Sequence, residues 1–248
     1  MNQFFIEPSA VAEGKITITG EDVNHIVNVL RMRKGESLSL VESVSGLTYF
    51  ADIESMDQDG VVCVIQDVQS ESRELPVKVT IYQGMPKSDK LEFVIQKSVE
   101  MGAARIVPVA MKRSVVKLDQ SKTAKKCARW NSIAESAASQ SKRGVIPEVT
   151  EPMSLKEAIK DAESCDAILL PYELAEGIDE TRKILTEIRD SGTDSIAVFI
   201  GPEGGFDESE VKEITDAGGR IITLGNRILR TETAPIAILA WLTYLFEK

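Results

Sequence analysis

An α/β protein in two parts is what the order of apolar runs predicts: a small β-rich N-terminal domain, then a parallel sheet flanked by helices. Three observations carry that reading. Short strand-like runs separated by turn residues crowd residues 1–72. From Val77 onward, runs that are apolar along their whole length alternate with helical periods, the pattern of a sheet buried on both faces. Between the two lies the polar stretch Gln69-Ser-Glu-Ser-Arg-Glu74 before Pro76, a linker that divides the chain into residues 1–72 and 73–248.

In the first part the predicted strands are Lys15–Thr19, Ser37–Val41, Leu47–Ile53 and Val61–Ile65. One helix interrupts them. Thr19 is placed to cap it, and Val23, Ile26, Val27 and Leu30 fall on one apolar stripe. In the second part, a strand at Val77–Tyr82 leads to a helix over Lys87–Met101 that Gly102 closes. A strand at Arg105–Val109 precedes a long helix over Lys122–Ser141. Strands at Ala167–Leu170, Ser195–Ile200 and Arg220–Leu224 complete the sheet. A helix starts near Asp207, where Asp207 and Glu210 form an Asp-x-x-Glu capping box. A very apolar helix carrying Ile236, Ile238, Leu239, Trp241, Leu242 and Leu245 ends the chain, with Thr231 or Thr233 as its cap and Pro235 in its first turn.

Composition narrows the class. The 248 residues are 43% hydrophobic and 27% charged, ordinary for a globular protein. No apolar run approaches the ~18–20 residues that cross a bilayer, and Met1–Glu7 lacks the features of a signal peptide. Three scattered cysteines and one histidine offer no metal or disulfide framework, so a reducing cytoplasm is expected. The net charge of −10 hides an asymmetry. Lys112 to Arg143, which includes Lys117, Asp119 and Lys122, carries +7 and leaves −17 for the rest. Such a segment is a footprint for a polyanion, although a solvated helix face has the same composition.

Chemistry concentrates in two loops. Ile200-Gly-Pro-Glu-Gly-Gly-Phe206 follows a strand and precedes a helix, and Leu224-Gly-Asn-Arg-Ile-Leu-Arg-Thr-Glu-Thr-Ala234 follows soon after. Open α/β sheets bind ligands at the carboxyl ends of their strands, where both loops belong. The first lacks the Gly-Lys-Ser/Thr of a triphosphate loop and the Gly-x-Gly-x-x-Gly of a dinucleotide loop. Its glycines let a ligand approach bare backbone. In the second, Arg227 and Arg230 flank the apolar pair Ile228-Leu229, which needs a partner subunit or a flat heterocycle to pack on.

Together these loops resemble the signature of the ribosomal RNA small subunit methyltransferase E family, of the SPOUT class. The resemblance extends over nearly the whole chain, through His25-Ile-Val-Asn-Val-Leu-Arg31, Gln96-Lys-Ser-Val-Glu-Met-Gly102 and Glu135-Ser-Ala-Ala-Ser-Gln-Ser-Lys-Arg143 followed by Pro147. Met101, Ser136 and Ala137 depart slightly from the family's pattern, and Gln3 stands before Phe4-Phe5 where the family often has arginine. The resemblance implies a PUA-like N-terminal domain, a C-terminal domain tied in a trefoil knot, and a homodimer joined through the last helix. It implies S-adenosylmethionine as cofactor, held by Leu170, Pro171 and Glu173, by Ile200, Gly201, Pro202 and Gly205, and by Leu224, Gly225, Arg227, Ile228 and Leu229.

The implied reaction methylates N3 of a uridine in 16S rRNA, free or in the small ribosomal subunit, without a metal. Neutral uracil carries a proton on N3, so catalysis must favour the deprotonated base and align it with the methyl group. Arg230 is the candidate to stabilise the anion. Glu232 is either a base or an acid that balances a helix start. The RNA contacts implied are Arg31, Arg33, Lys112, Arg113, Arg129, Gln140 and Arg143, and His25 is read as a structural residue. The rival readings are a ribose 2′-O-methyltransferase of the same class and a non-catalytic RNA-binding assembly factor.

Overall fold

The structure, a computed structural model, describes residues 1–70, 72–87, 89–114, 120–175 and 177–247, with the side chains of 120–122 left out. Lys117 and Asp119 of the basic segment lie outside the described residues, as does the Lys122 side chain. The chain divides into two compact units. Unit 1 is Met1–Glu74 with Ala138–Ile146, and unit 2 is Leu75–Ala137 with Pro147–Lys248. The expected boundary after residue 72 did not include the return of residues 138–146 to the first unit.

Unit 1 is built on a curled six-stranded sheet in the order β1-β4-β5-β6-β3-β2. These strands are β1 (Asn2–Ile6), β2 (Val11–Ala12), β3 (Lys15–Ile18), β4 (Ser37–Glu42), β5 (Thr48–Met56) and β6 (Val61–Gln69). β5 alternates buried and half-buried residues, as a strand with one face on a core does. Phe4, Ile16, Leu38, Leu40, Ala51 and Cys63 supply that core. β1 pairs in parallel with β4 and was not expected. β6 runs on to Gln69, into the stretch read as linker.

The predicted helix of unit 1 is a short α1 (Glu21–Asn24) continuing as a π-helical turn, His25–Val29. Its apolar stripe is real: Val23 and Ile26 are buried, with Val27 and Leu30 packed against the core. The cap is not. Gly20 holds the N-cap position without a side-chain hydrogen bond, so Thr19 has no capping role.

Unit 2 is a parallel sheet in the order β10-β8-β7-β12-β11-β13, with β9 also on β8. Its strands are β7 (Lys78–Gly84), β8 (Arg105–Ala110), β9 (Glu148–Val149), β10 (Met153–Ser154), β11 (Ala167–Pro171), β12 (Ser195–Ile200) and β13 (Arg220–Ile222). β7 and β12 are buried along nearly their whole length, which explains the apolar run Ile196–Ile200 and the largely apolar Val79–Tyr82. The helices of the chain after α1 are α2 (Lys90–Glu100), α3 (Gln120–Gln140), α4 (Leu155–Ala162), α5 (Ile178–Asp190), α6 (Glu208–Asp216) and α7 (Ala234–Phe246). Asp207 and Glu210 form the predicted capping box at α6. At α7 neither threonine caps: Thr233 sits at the N-cap without a side-chain bond, and the Thr231 hydroxyl is turned elsewhere.

Candidate active site

β12, β11 and β13 are neighbours and parallel, so their carboxyl ends lie on one edge. Three loops leave that edge and enclose an open cavity of about 840 Å3. Its lining includes Pro171, Tyr172 and Glu173 after β11, Ile200 to Phe206 after β12, and Thr223 to Glu232 after β13. Two regions read from sequence as one ligand site therefore meet, and the β11 loop joins them. Pro171, Glu173, Ile200, Gly201, Pro202, Gly205, Leu224, Gly225, Arg227, Ile228 and Leu229 all line it, as do Arg230 and Glu232. Leu170 does not. It is fully buried, and its side chain packs in the hydrophobic core beside the sheet.

The glycine positions are set by close packing. Gly205 has a left-handed φ of 69°, and an added Cβ would run into the Glu173 carboxylate. At Gly201 an added Cβ would come within 3.2 Å of the Phe206 ring. The space a side chain would need at either position is thus already taken by the loops' own atoms. The lip is apolar at Ile228, 86% exposed.

Beneath the loops, Gln83 at the end of β7 is fully buried. Its Nε2 donates to Thr231 Oγ1 (2.8 Å) and to the Gly84 carbonyl (2.9 Å). Thr231 in turn donates to the Gly201 carbonyl (2.7 Å). Sequence reasoning missed Gln83, although a glutamine ending an apolar strand just before Gly84 was the available signal.

A charged cluster occupies one side. Lys90 Nζ lies 3.1 Å from Glu203 and 3.5 Å from Glu232, and Arg230 lies 4.0 Å from Glu232. Burial opposes ionisation of Glu203, yet the Lys87 amide and the Lys90 ammonium outweigh it and hold its carboxyl below the usual range. Hydrogen bonding to Glu203 raises the Lys90 ammonium, which keeps it charged. Glu232 Oε2 is buried, and the Lys90 ammonium at 3.5 Å is its charged partner. Arg230 reaches outward, its side chain 82% exposed. Lys90 and Glu203 were not singled out from sequence, because nothing in their spacing marks a site.

The other predicted cations are dispersed. In unit 2, Lys112 Nζ contacts Ser209 Oγ (2.5 Å) and Asp207 (3.4 Å), while Arg113 donates to the Gly204 carbonyl (3.0 Å). Arg129 is exposed but pairs with Glu92 at 2.7 Å. In unit 1, Arg31, Arg33 and Gln140 are exposed. Arg143 departs from the expectation. It is 4% exposed, with its guanidinium held by Glu74, which also accepts from the Gly144 amide (3.1 Å). An arginine turned inward to a carboxylate is not presented to a phosphate. His25 is exposed, its ring edge-on to Phe4 at 5.8 Å.

Comparison with known proteins gives this geometry a context. Residues 73–243 match the RNA methyltransferase domain family, and residues 18–66 match the RNA methyltransferase PUA domain. The chain is 39% identical over 252 residues to the ribosomal RNA small subunit methyltransferase E of Bacillus subtilis (strain 168), spanning 100% of this chain and 98% of the relative. It resembles the structure of ribosomal RNA small subunit methyltransferase E from Neisseria gonorrhoeae bound to S-adenosyl methionine, with a TM-score of 0.83 and 32% identity over 99% and 98% of the two chains. A Legionella pneumophila protein solved with bound S-adenosylmethionine is similar at a TM-score of 0.85 and 31% identity, over 98% and 96% of the chains.

Proposed function

The chain belongs to the ribosomal RNA small subunit methyltransferase E family, and from that premise we propose that it methylates N3 of a uridine in 16S rRNA with S-adenosylmethionine. The observation that carries this is the cavity formed by three loops at the carboxyl ends of β11, β12 and β13. Its size falls within the roughly 300–1,000 Å3 of small-molecule sites. Bare backbone at Gly201 and Gly205 can read polar edges, and the apolar Ile228-Leu229 pair can cover a flat ring. The residues present therefore fit an adenosyl group.

Bound there, the cofactor would supply an already activated methyl group. The rest of the work falls to the chain. Arg230, exposed at the cavity mouth, would stabilise negative charge developing on the uracil carbonyls as N3 loses its proton. Glu232, a half-buried carboxylate lining the cavity beside Lys90, would receive that proton. Gln83, Thr231 and Gly201 would hold the loops in one arrangement, so that alignment costs little at the moment of reaction. Because pairing hides N3, the target base would be unpaired or flipped out. Arg31, Arg33 and Gln140 on unit 1, and Lys112, Arg113 and Arg129 on unit 2, would contact RNA.

The reading also includes a trefoil knot in residues 73–248, a PUA-like RNA-binding domain in residues 1–72, a cytoplasmic site of action and a homodimer. The exposed face of α7 supports the last: Tyr244 is 87% exposed while Ile238, Leu239 and Leu242 on the opposite side are buried.

The test is to incubate the protein and labelled S-adenosylmethionine with unmodified small subunits or naked rRNA, then identify the methylated nucleoside by mass spectrometry. N3-methyluridine is expected. A 2′-O-methyl product would overturn the base assignment, and failure to bind the cofactor would overturn the whole reading.

A further inference from the structure

Another cavity lies wholly within unit 1. It holds about 180 Å3, too small for a whole ligand and suited to one group of a larger one. Its floor is a row of cross-strand partners: Gln3 on β1 pairs with Ser39 on β4, and Ser39 with Phe50 on β5. Partners in register share a face, and the adjacent Phe4, Leu38, Leu40 and Ala51 fill the core on the other. The row therefore faces away from the unit's core. Thr48, Arg73 and Lys142 are also in the lining, and Phe50 there is half-buried.

The charges are one-sided. Among the described residues, no carboxylate lines the cavity. Asp67, in register with Phe50, accepts from Gln69 Nε2 at 3.1 Å. Arg73 is exposed and forms no ion pair among the described residues. Lys142 takes a left-handed φ of 63°, unusual for a lysine, and its Nζ donates to the Met1 carbonyl at 2.7 Å. Burial and then the nearby Arg73 push its ammonium below the usual lysine range. Two cations at one small opening, with no acid among its described lining residues, gain from an anion.

We propose that this cavity seats one nucleotide of an RNA strand, its phosphate between Arg73 and Lys142 and its base against Phe50. Cations supply salt-dependent affinity, and an aromatic ring accepts any base by stacking. The inference rests on RNA being the substrate, as proposed above. It also moves the contribution of the basic run's end from Arg143, which is turned inward, to its neighbour Lys142.

The test titrates a short labelled single-stranded RNA against the full chain at several salt concentrations. Arg73→Gln and Lys142→Gly are each expected to weaken binding about five- to tenfold and to lower the salt slope by about one. Glycine adopts the left-handed conformation freely, so the second variant keeps the backbone. Phe50→Leu is expected to weaken binding at least about fivefold with an unchanged slope. An unaltered urea denaturation curve in each variant checks that unit 1 is folded. Variants that bind RNA like the wild type, while the wild type methylates rRNA, would overturn the pocket and leave the function standing. Phe50→Leu with full affinity would overturn the stacked nucleotide, and a wild type that binds no RNA would overturn the substrate reading itself.

Discussion

The Thr231 hydroxyl donates to the Gly201 carbonyl at 2.7 Å, tying the loop after β13 to the loop after β12. It also accepts from the fully buried Gln83. Thr231→Val keeps the shape and removes both bonds, leaving buried polar atoms with fewer partners. The expected loss of stability is about 1–3 kcal/mol, read from the urea midpoint, with weaker cofactor binding by calorimetry. Full stability together with wild-type affinity would show that the tie does not hold the loops.

Gly201→Val should abolish S-adenosylmethionine binding and leave the chain folded. Even a Cβ at this position meets the Phe206 ring at 3.2 Å, so the branched side chain must displace the loop or fill the cavity. Gly205→Ala should weaken binding by a second route, through its φ of 69° and the Glu173 carboxylate. Calorimetric titration with the cofactor, beside a circular dichroism melt, checks both. Retained affinity in Gly201→Val would remove the loop from the cofactor site.

Arg230→Ala is expected to separate catalysis from binding. Its side chain is 82% exposed, so the melting curve should move by no more than about 0.5 kcal/mol. Loss of anion stabilisation should cut kcat about 100-fold or more, with cofactor affinity unchanged. Glu232→Gln should slow the reaction too, because an amide cannot receive the proton. Single-turnover rates measure both effects, and an unaltered rate in Arg230→Ala would return that arginine to the surface.

Much of unit 2 was legible because its strands are apolar on both faces and its loops begin at glycine. The periodicity of Val77–Tyr82 and Ser195–Ile200 can arise from few other environments, and β7 and β12 are buried as it demands. The capping box at Asp207 is a local rule and was readable for that reason. Ser154-Leu-Lys-Glu157 obeys the same rule at α4 and was passed over. What escaped was tertiary. Thr231 looks like a cap in sequence, but buried Gln83 and the Gly201 carbonyl claim its hydroxyl. Arg143 looks like part of a basic surface, and only the fold brings Glu74 to it across 69 residues of chain.

That buried pair carries its own prediction. Arg143 is 4% exposed, and Glu74 accepts its Nε–H at 3.0 Å and the Gly144 amide at 3.1 Å. Glu74→Gln would remove the negative charge of this partner from beside a buried guanidinium, at a cost of about 1.5–3 kcal/mol. Chemical denaturation should show this loss while RNA affinity of the folded fraction stays the same. An Arg143→Lys variant that keeps full stability and loses RNA binding would restore the surface role.

Alkaline pH offers a test of the sheet itself. Tyr82 donates to Asp161 Oδ2 at 2.6 Å, Arg105 pairs with the same oxygen at 2.6 Å, and the Tyr82 ring stacks on Phe199 at 4.6 Å. Burial, then the hydrogen bond to the Asp161 carboxylate, raises the phenol far above its ordinary value. The folded chain therefore keeps this proton after the unfolded chain has released it. Its contribution is full below about pH 10, the unfolded value, and declines as pH rises toward the folded one. Tyr82→Phe keeps the stacked ring and should cost about 1.5–3 kcal/mol at neutral pH. It should also flatten the fall in stability above about pH 10, since phenylalanine has no proton to lose. Parallel urea titrations of both proteins at neutral and alkaline pH measure the difference in slope. Equal slopes would mean that the Tyr82 hydroxyl ionises in the fold as freely as in the unfolded chain.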